Sequence, residues 1–473
     1  MFNFASKQTV MKTYLRLSAL GLFFLILINC PLVQAQQKNE NIYQKLDNYL
    51  TQANKMGKFN GSALVARNGQ IILHKGYGWK NFQARTLNDT NSIFDIGSLT
   101  KPFTAMLILK LQEEGKLSVR DLLSKYIPEQ KGADEITIQN LLDHTSGLHD
   151  FSHDIPEDDS TLLSHPMPRE TVLETFINEP LEFKPGTQYR YCNSDYFLLG
   201  MIIEKLTGVT WGQYLRKTIF EPLDMRHSGI DLINLKDTAK ATGYRFLDAS
   251  RQQPAVKWDS TLTYSAGAIY TTTSDLYKWA RAISKRQILN RSSWDAAFTP
   301  HLEHYGDGFW IDTLYGNRYV YHSGGLPGFM SSFRYYPEQE VTIILLNNFG
   351  DYGQSLLQVN NALSAIVFKK SNSLLSAHIP INISDDILKT YVGTYSAKGS
   401  NNKVFITLKD HQLYAESSSK DGIPKLPIYA ESENSFFLKD FDAQLIFVKD
   451  EHNQVTKFIS QGNGKSEELK KEK

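Results

Sequence analysis

The chain has 473 residues, 41% hydrophobic and 21% charged, with 51 lysines and arginines against 50 acids. That length exceeds what one domain usually holds, so a large domain with a smaller companion is expected. The balance of charge, with no basic run, excludes a nucleic-acid arm, and nucleic acid is not expected as a partner.

Residues 1–35 read as an export signal, in which Lys12 and Arg16 supply positive charge, residues 17–28 are apolar, and Val33-Gln34-Ala35 suits signal-peptidase cleavage. The mature protein is therefore expected to be periplasmic or secreted. No transmembrane span is expected in it, because no later run approaches the required length. Cys30 follows Leu27-Ile28-Asn29, and Asn29 departs from the small residue expected before a lipid-bearing cysteine, which disfavours a lipid anchor. Cys192 then has no intrachain disulfide partner, and the fold must stand on its core.

After the signal, Ile42, Leu46, Tyr49, Leu50 and Ala53 mark an amphipathic helix. Strands are expected at residues 62–66 and 70–73, joined by Arg67-Asn68-Gly69, since Asn-Gly favours a tight hairpin turn. Phe103, Met106, Leu107, Ile108, Leu109 and Leu111 leave no polar stripe, so the helix they predict, stopped by Gly115, is buried on every side. Helical segments follow at 121–126, 137–142, 197–206, 211–220 and 279–283, with a long polar excursion over 149–168. Strands at 318–322, 329–336 and 341–347 form an antiparallel meander, closed by a helix at 356–369. Residues 371–384 are linker-like. Short strands between 385 and 464 then predict a small all-β domain, ending in a charged, disordered tail at 465–473.

At the start of the buried helix, Ser98 and Lys101 are three residues apart, which brings both side chains to one face. Ser98-x-x-Lys101 resembles the nucleophile motif of the serine β-lactamase and penicillin-binding-protein superfamily. Two further pieces follow in that family's order. Tyr191-Cys192-Asn193 is similar to the Tyr-x-Asn element of its class C branch, and His322-Ser323-Gly324-Gly325 stands where the family places Lys-Thr-Gly or His-x-Gly. Family-like phrases also occur at His144-Thr145-Ser146-Gly147-Leu148, Pro222-Leu223-Asp224-Met225 and Ser265-Ala266-Gly267-Ala268.

The resemblance covers residues 40–370. It implies an α+β fold, an antiparallel sheet flanked by helices plus a helical subdomain, followed by the all-β domain. It also implies an exported serine hydrolase acting through an acyl-enzyme on an amide, peptide or ester carbonyl of a small molecule or peptide, including cell-wall peptide. The alternatives are a D,D-carboxypeptidase or penicillin-binding protein, a true class C β-lactamase, or a catalytically silent binding protein of the cell envelope.

By resemblance, Ser98 is the nucleophile, Lys101 and Tyr191 share the base role, and Asn193 hydrogen-bonds the lysine and a substrate amide. His322 belongs to the same machinery, Gly325 contributes an oxyanion donor, and Ser323 and Gly324 line the substrate site. A tyrosine of ordinary pKa ~10 would have to fall to ~7 to act as base, through neighbouring cations. His322, with ordinary pKa ~6.5, is expected to be mostly neutral at working pH and to give less positive field than a lysine. No cofactor or metal is expected: His149, Asp150, His153 and Asp154 lack a metal-binding pattern and read as solvated. Cys192 is expected to be packing filler. No Gly-x-Ser-x-Gly elbow occurs, which disfavours an α/β-hydrolase.

Overall fold

The computed structural model of the chain describes residues 31–155, 163–247, 252–350, 356–370, 380–397, 399, 402–418, 425–438, 443–462 and 465–472. Most of the expected export signal and linker, and the middle of the 149–168 excursion, lie outside the described residues.

The central element is a six-stranded antiparallel sheet that draws strands from both ends of the large domain. Two come early, β1 (Gly61–Arg67) and β2 (Gln70–Tyr77), joined by Asn68 and Gly69 at φ 50° and 73°, the left-handed turn that Asn-Gly favours. Helix α1 (Pro31–Lys55) precedes them. Buried helix α2 (Lys101–Glu113) follows, and then α3 (Asn193–Thr207) and α4 (Thr273–Ser284). Four late strands complete the sheet: β3 (Trp310–Leu314), β4 (Asn317–Leu326), β5 (Phe329–Tyr336) and β6 (Val341–Asn347), before helix α5 (Leu357–Val367). The order is β3-β4-β5-β6-β1-β2, with Val65 opposite Ile343 where the early and late strands of the large domain meet.

Both faces of this sheet are covered, which is why β1 and β6 read as continuous apolar runs rather than alternating ones. Leu64, Ala66, Ile344 and Leu346 face the core that contains α2 and α4. Ala63, Val65, Ile343 and Leu345 face Leu46 and Leu50 of α1 and Leu363 of α5. Each fully buried leucine or isoleucine adds about 2 kcal/mol. On the inner side, Trp279 of α4 stacks on Phe103 of α2 with ring centroids 4.3 Å apart, fixing the helix that carries Lys101.

Several elements differ from expectation. The helix expected at 121–126 is only a short 3₁₀ turn, Leu123–Lys125, because the Leu123 N–H bonds Ile136 O and Asp121 O accepts from the Ile138 N–H. Strand β3 was not expected; it is a short edge strand with Asp312 exposed. Strand β4 does not stop at His322 but continues to Leu326.

The all-β domain is a closed eight-stranded barrel filled by Tyr391, Tyr395, Phe436, Phe447 and Phe458. The expected disordered tail is in fact its last strand, Lys465–Lys471, which pairs with both neighbours and closes the barrel. Of its described side chains only Leu469 is buried, so a strand with one charged, solvated face imitated a tail. The domain opens with a helix, Asp385–Tyr391, where only short strands were expected. Among the described residues no helix is long and apolar enough to cross a membrane.

Candidate active site

Ser98 lies in a 3₁₀ turn, Gly97–Thr100, that runs directly into α2. A 3₁₀ turn has three residues per turn, so Ser98 and Lys101 stack closely. Lys101 Nζ lies 3.0 Å from Ser98 Oγ, 2.8 Å from Asn193 Oδ1 and 3.1 Å from Ala266 O. Lys101 is fully buried, while Ser98, Tyr191 and Asn193 stay partly exposed. Burial lowers the lysine pKa from 10.5 to about 7, opposed chiefly by the Asp150 carboxylate.

Those contacts decide what a neutral lysine does. Ala266 O and Asn193 Oδ1 can only accept, so they take the two N–H groups of a neutral amine. The lone pair is then left for Ser98 Oγ–H. The Tyr191 ring stands 4.7 Å from Nζ, with its phenol beside Ser98. Burial raises the Tyr191 pKa well above its ordinary value, against the smaller opposing effect of Ser98. The expectation of an acidified tyrosine is therefore corrected: burial favours the neutral form of Tyr191 as it does that of Lys101.

Strand β4 passes hard against the serine turn. A Cβ added at Gly324 would stand 1.9 Å from Ile96 O and 2.8 Å from the Leu99 nitrogen, and one at Gly97, where φ is +51°, would stand 2.8 Å from the Gly325 nitrogen. Only glycine permits this approach. Ser331 Oγ donates to Ile96 O at 2.7 Å and holds the turn from β5. Serine, lysine, tyrosine, asparagine and the glycine strand thus converge from three separate stretches of chain. The model of the beta-lactamase family matches residues 46–362.

The chain belongs to the beta-lactamase family. It is 27% identical over 448 residues to penicillin-binding protein 4* of Bacillus subtilis (strain 168), covering 87% of this chain and 94% of that one. In fold it matches the octameric penicillin-binding protein homologue of Pyrococcus abyssi, with TM-score 0.64 and 24% identity over 90% of this chain and 99% of that one. It also matches a D-amino acid amidase of Ochrobactrum anthropi SV3, with TM-score 0.61 and 22% identity over 70% of this chain and all of the other.

In this beta-lactamase-family site His322 is buried, and both its nitrogens are engaged internally. Nδ1 lies 2.6 Å from Ser323 O, which can only accept, so Nδ1 carries the proton and Nε2 accepts from the Tyr305 hydroxyl at 3.0 Å. Burial, and then the charge of Lys101, lower its pKa to about 3. His322 is neutral, as expected, but by burial rather than by its ordinary pKa, and it does not titrate in the working range. Ser323, by the alternation of the strand, is exposed on the opposite side.

Asp150 was missed. It does not lie with solvated neighbours but is 7% exposed and binds Asn193. His149, by contrast, is partly open and sits between Glu182 Oε1 at 3.0 Å and Asp154 Oδ2 at 2.7 Å. Cys192 turns its thiol toward Leu148 O at 3.6 Å, away from the pocket. Beneath Tyr191 lies a buried pair that the sequence reading also passed over. His144 Nδ1 is 2.9 Å from Asp195 Oδ2, and its ring lies 4.4 Å from that of Tyr191. His144 opens the family-like phrase that ends at Leu148, but residue type alone does not show that it is buried against Asp195.

Proposed function

We propose that the protein is an exported serine hydrolase that forms an acyl-enzyme at Ser98 on an uncharged amide, peptide or ester carbonyl. The observation that carries this reading is a buried lysine of pKa about 7 placed 3.0 Å from a serine hydroxyl. Neutral Lys101 takes the Ser98 Oγ proton as Oγ bonds to the carbonyl carbon. The negative oxygen that forms is met by the backbone N–H groups of Ser98 and Gly325, and the close packing of β4 on the turn supports that pairing. Collapse expels the amine or alcohol, which receives a proton through Tyr191 while Lys101 resupplies it. Water then repeats the sequence on the acyl ester and frees the acid.

A neutral histidine at the position of the Lys-Thr-Gly lysine favours substrates without a carboxylate there. Hydrolysis of a panel of p-nitrophenyl esters, D-amino-acid peptide amides and nitrocefin tests this. Esters or amides should be turned over well and nitrocefin poorly; efficient nitrocefin hydrolysis with no ester or amide turnover would contradict it.

The pH profile separates the two candidate titrating groups. Activity should require neutral Lys101 and therefore rise through an acid limb centred near pH 7. His322→Gln should leave that midpoint in place, because His322 is already neutral across the limb. A midpoint that disappears in His322→Gln would reassign the limb to the histidine.

The barrel has its own core, and every proposed site residue lies between Ser98 and Gly325. A chain ending near residue 373 is expected to stay folded and to acylate at the full-length rate. Loss of acylation in a folded truncation would place part of the site in the barrel.

A further inference from the structure

Asn193 presents its amide to two groups of opposite demand. Its Oδ1 accepts from Lys101 Nζ at 2.8 Å, and its Nδ2 donates to Asp150 Oδ2 at 3.1 Å and to Ser152 Oγ at 3.2 Å. Asp150 Oδ2 also accepts the Asn193 backbone N–H at 3.1 Å, and Oδ1 accepts the Ser152 N–H at 3.0 Å. The segment is pinned to the start of α3, because Ser194 Oγ accepts from the Phe151 N–H at 3.0 Å and donates to His149 O at 2.7 Å. A carboxylate can only accept, so it dictates which way the amide faces.

We propose that Asp150 is a positioning residue for acyl transfer at Ser98: its carboxylate locks the Asn193 amide with Oδ1 toward Lys101, and its buried negative charge offsets the Lys101 ammonium. The inference rests on the serine hydrolase reading for its kinetic consequence but not for its structural one. With the amide locked, the lone pair of neutral Lys101 has one direction left, toward Ser98. With the amide free to turn, Nδ2 competes for that lone pair, and the serine loses its base in that fraction of molecules.

The charge has a second effect of known sign. Among the groups facing Lys101, the carboxyl groups of Asp150 and Asp195 favour the ammonium, Asp150 most, while burial keeps the Cys192 thiol protonated and uncharged. Tyr191 and Tyr196 lie over it with their rings, and His322 is neutral. Removing the Asp150 charge therefore lets burial lower the lysine pKa further.

The test compares Asp150→Asn and Asp150→Glu with the wild-type chain. The Lys101 ionisation is followed by the 13Cε shift of the lysine signal that disappears in Lys101→Met. Hydrolysis of p-nitrophenyl acetate is followed over the same pH range. In Asp150→Asn the Lys101 midpoint and the acid limb should both move to lower pH, and the high-pH plateau should fall at least tenfold. Asp150→Glu should keep the wild-type midpoint. Should Asp150→Asn not fold, Asp150→Ser carries the same expectation. A midpoint that is unchanged or raised in a folded Asn or Ser variant overturns the proposal. The lysine titration needs no substrate, so it decides the role of Asp150 even if the wild-type chain proves not to hydrolyse the ester, an outcome that would sink the hydrolase reading alone.

Discussion

Lys101→Met is expected to lower the rate of Ser98 acylation by about a thousandfold, the middle of the range for losing a general base, while raising the melting temperature at pH 7. The two effects have one cause. Holding this lysine in a fully buried site reduces its pKa from 10.5 to about 7. Between those values the unfolded chain binds a proton that the folded chain does not, so stability rises with pH across that window. The destabilisation is complete below pH 7, where it is on the order of 5 kcal/mol, and vanishes above pH 10.5. Methionine fills similar space without a charge, at the expense of the hydrogen bonds to Asn193 and Ala266. Urea denaturation at several pH values reads the outcome: the variant should be the more stable at pH 7, and its advantage should shrink steadily as pH rises. A constant difference at all pH values would mean that Lys101 is not the depressed group.

Gly324→Ala is expected to be the most damaging single methyl group in the site. Its Cβ would stand 1.9 Å from Ile96 O and 2.8 Å from both the Leu99 nitrogen and Ser331 Oγ. Two of the three are backbone atoms, so no side-chain rotation relieves the overlap, and β4 must move away from the serine turn. We expect a loss of about 2–4 kcal/mol in stability. Because the Gly325 N–H would move with the strand, acylation should fall by about a hundredfold or more even in the folded fraction. Gly325→Ala is the comparison, since there the new Cβ would meet only Met330, at 3.3 Å and beyond. Equal stability of the two variants would show that β4 does not press on the turn as described.

Much of this molecule was legible in its sequence, for physical reasons that differ from place to place. The helix carrying Lys101 announced itself because it has no polar side. The Asn68-Gly69 turn fixed the hairpin, and the doubly covered sheet appeared as unbroken apolar runs. Ser98, Lys101, Tyr191, Asn193 and the His322 to Gly325 stretch were found by motif, and the fold brings Ser98, Lys101, Tyr191 and Asn193 into direct contact. Environment was not legible. Residue type says that histidine titrates near neutrality and that aspartate is solvated, yet His322 and Asp150 are both buried, so the histidine stays neutral for a different reason and the aspartate is held away from solvent. Tyr305, which engages His322, belongs to no motif. The closing strand of the barrel failed for the opposite reason, since one buried leucine among charged residues gives too little alternation to see.

The central claim, that Ser98 is an acylated nucleophile served by Lys101, is tested most directly by intact mass. The wild-type chain, Ser98→Ala and Lys101→Met would each be incubated with a fluorophosphonate and with a penicillin, and the labelled peptide identified. One adduct is expected per wild-type molecule, on the peptide containing Ser98. It should be absent in Ser98→Ala and formed about a thousandfold more slowly in Lys101→Met. An adduct that persists in Ser98→Ala, or a folded wild-type chain that takes no adduct from either probe, would contradict the account.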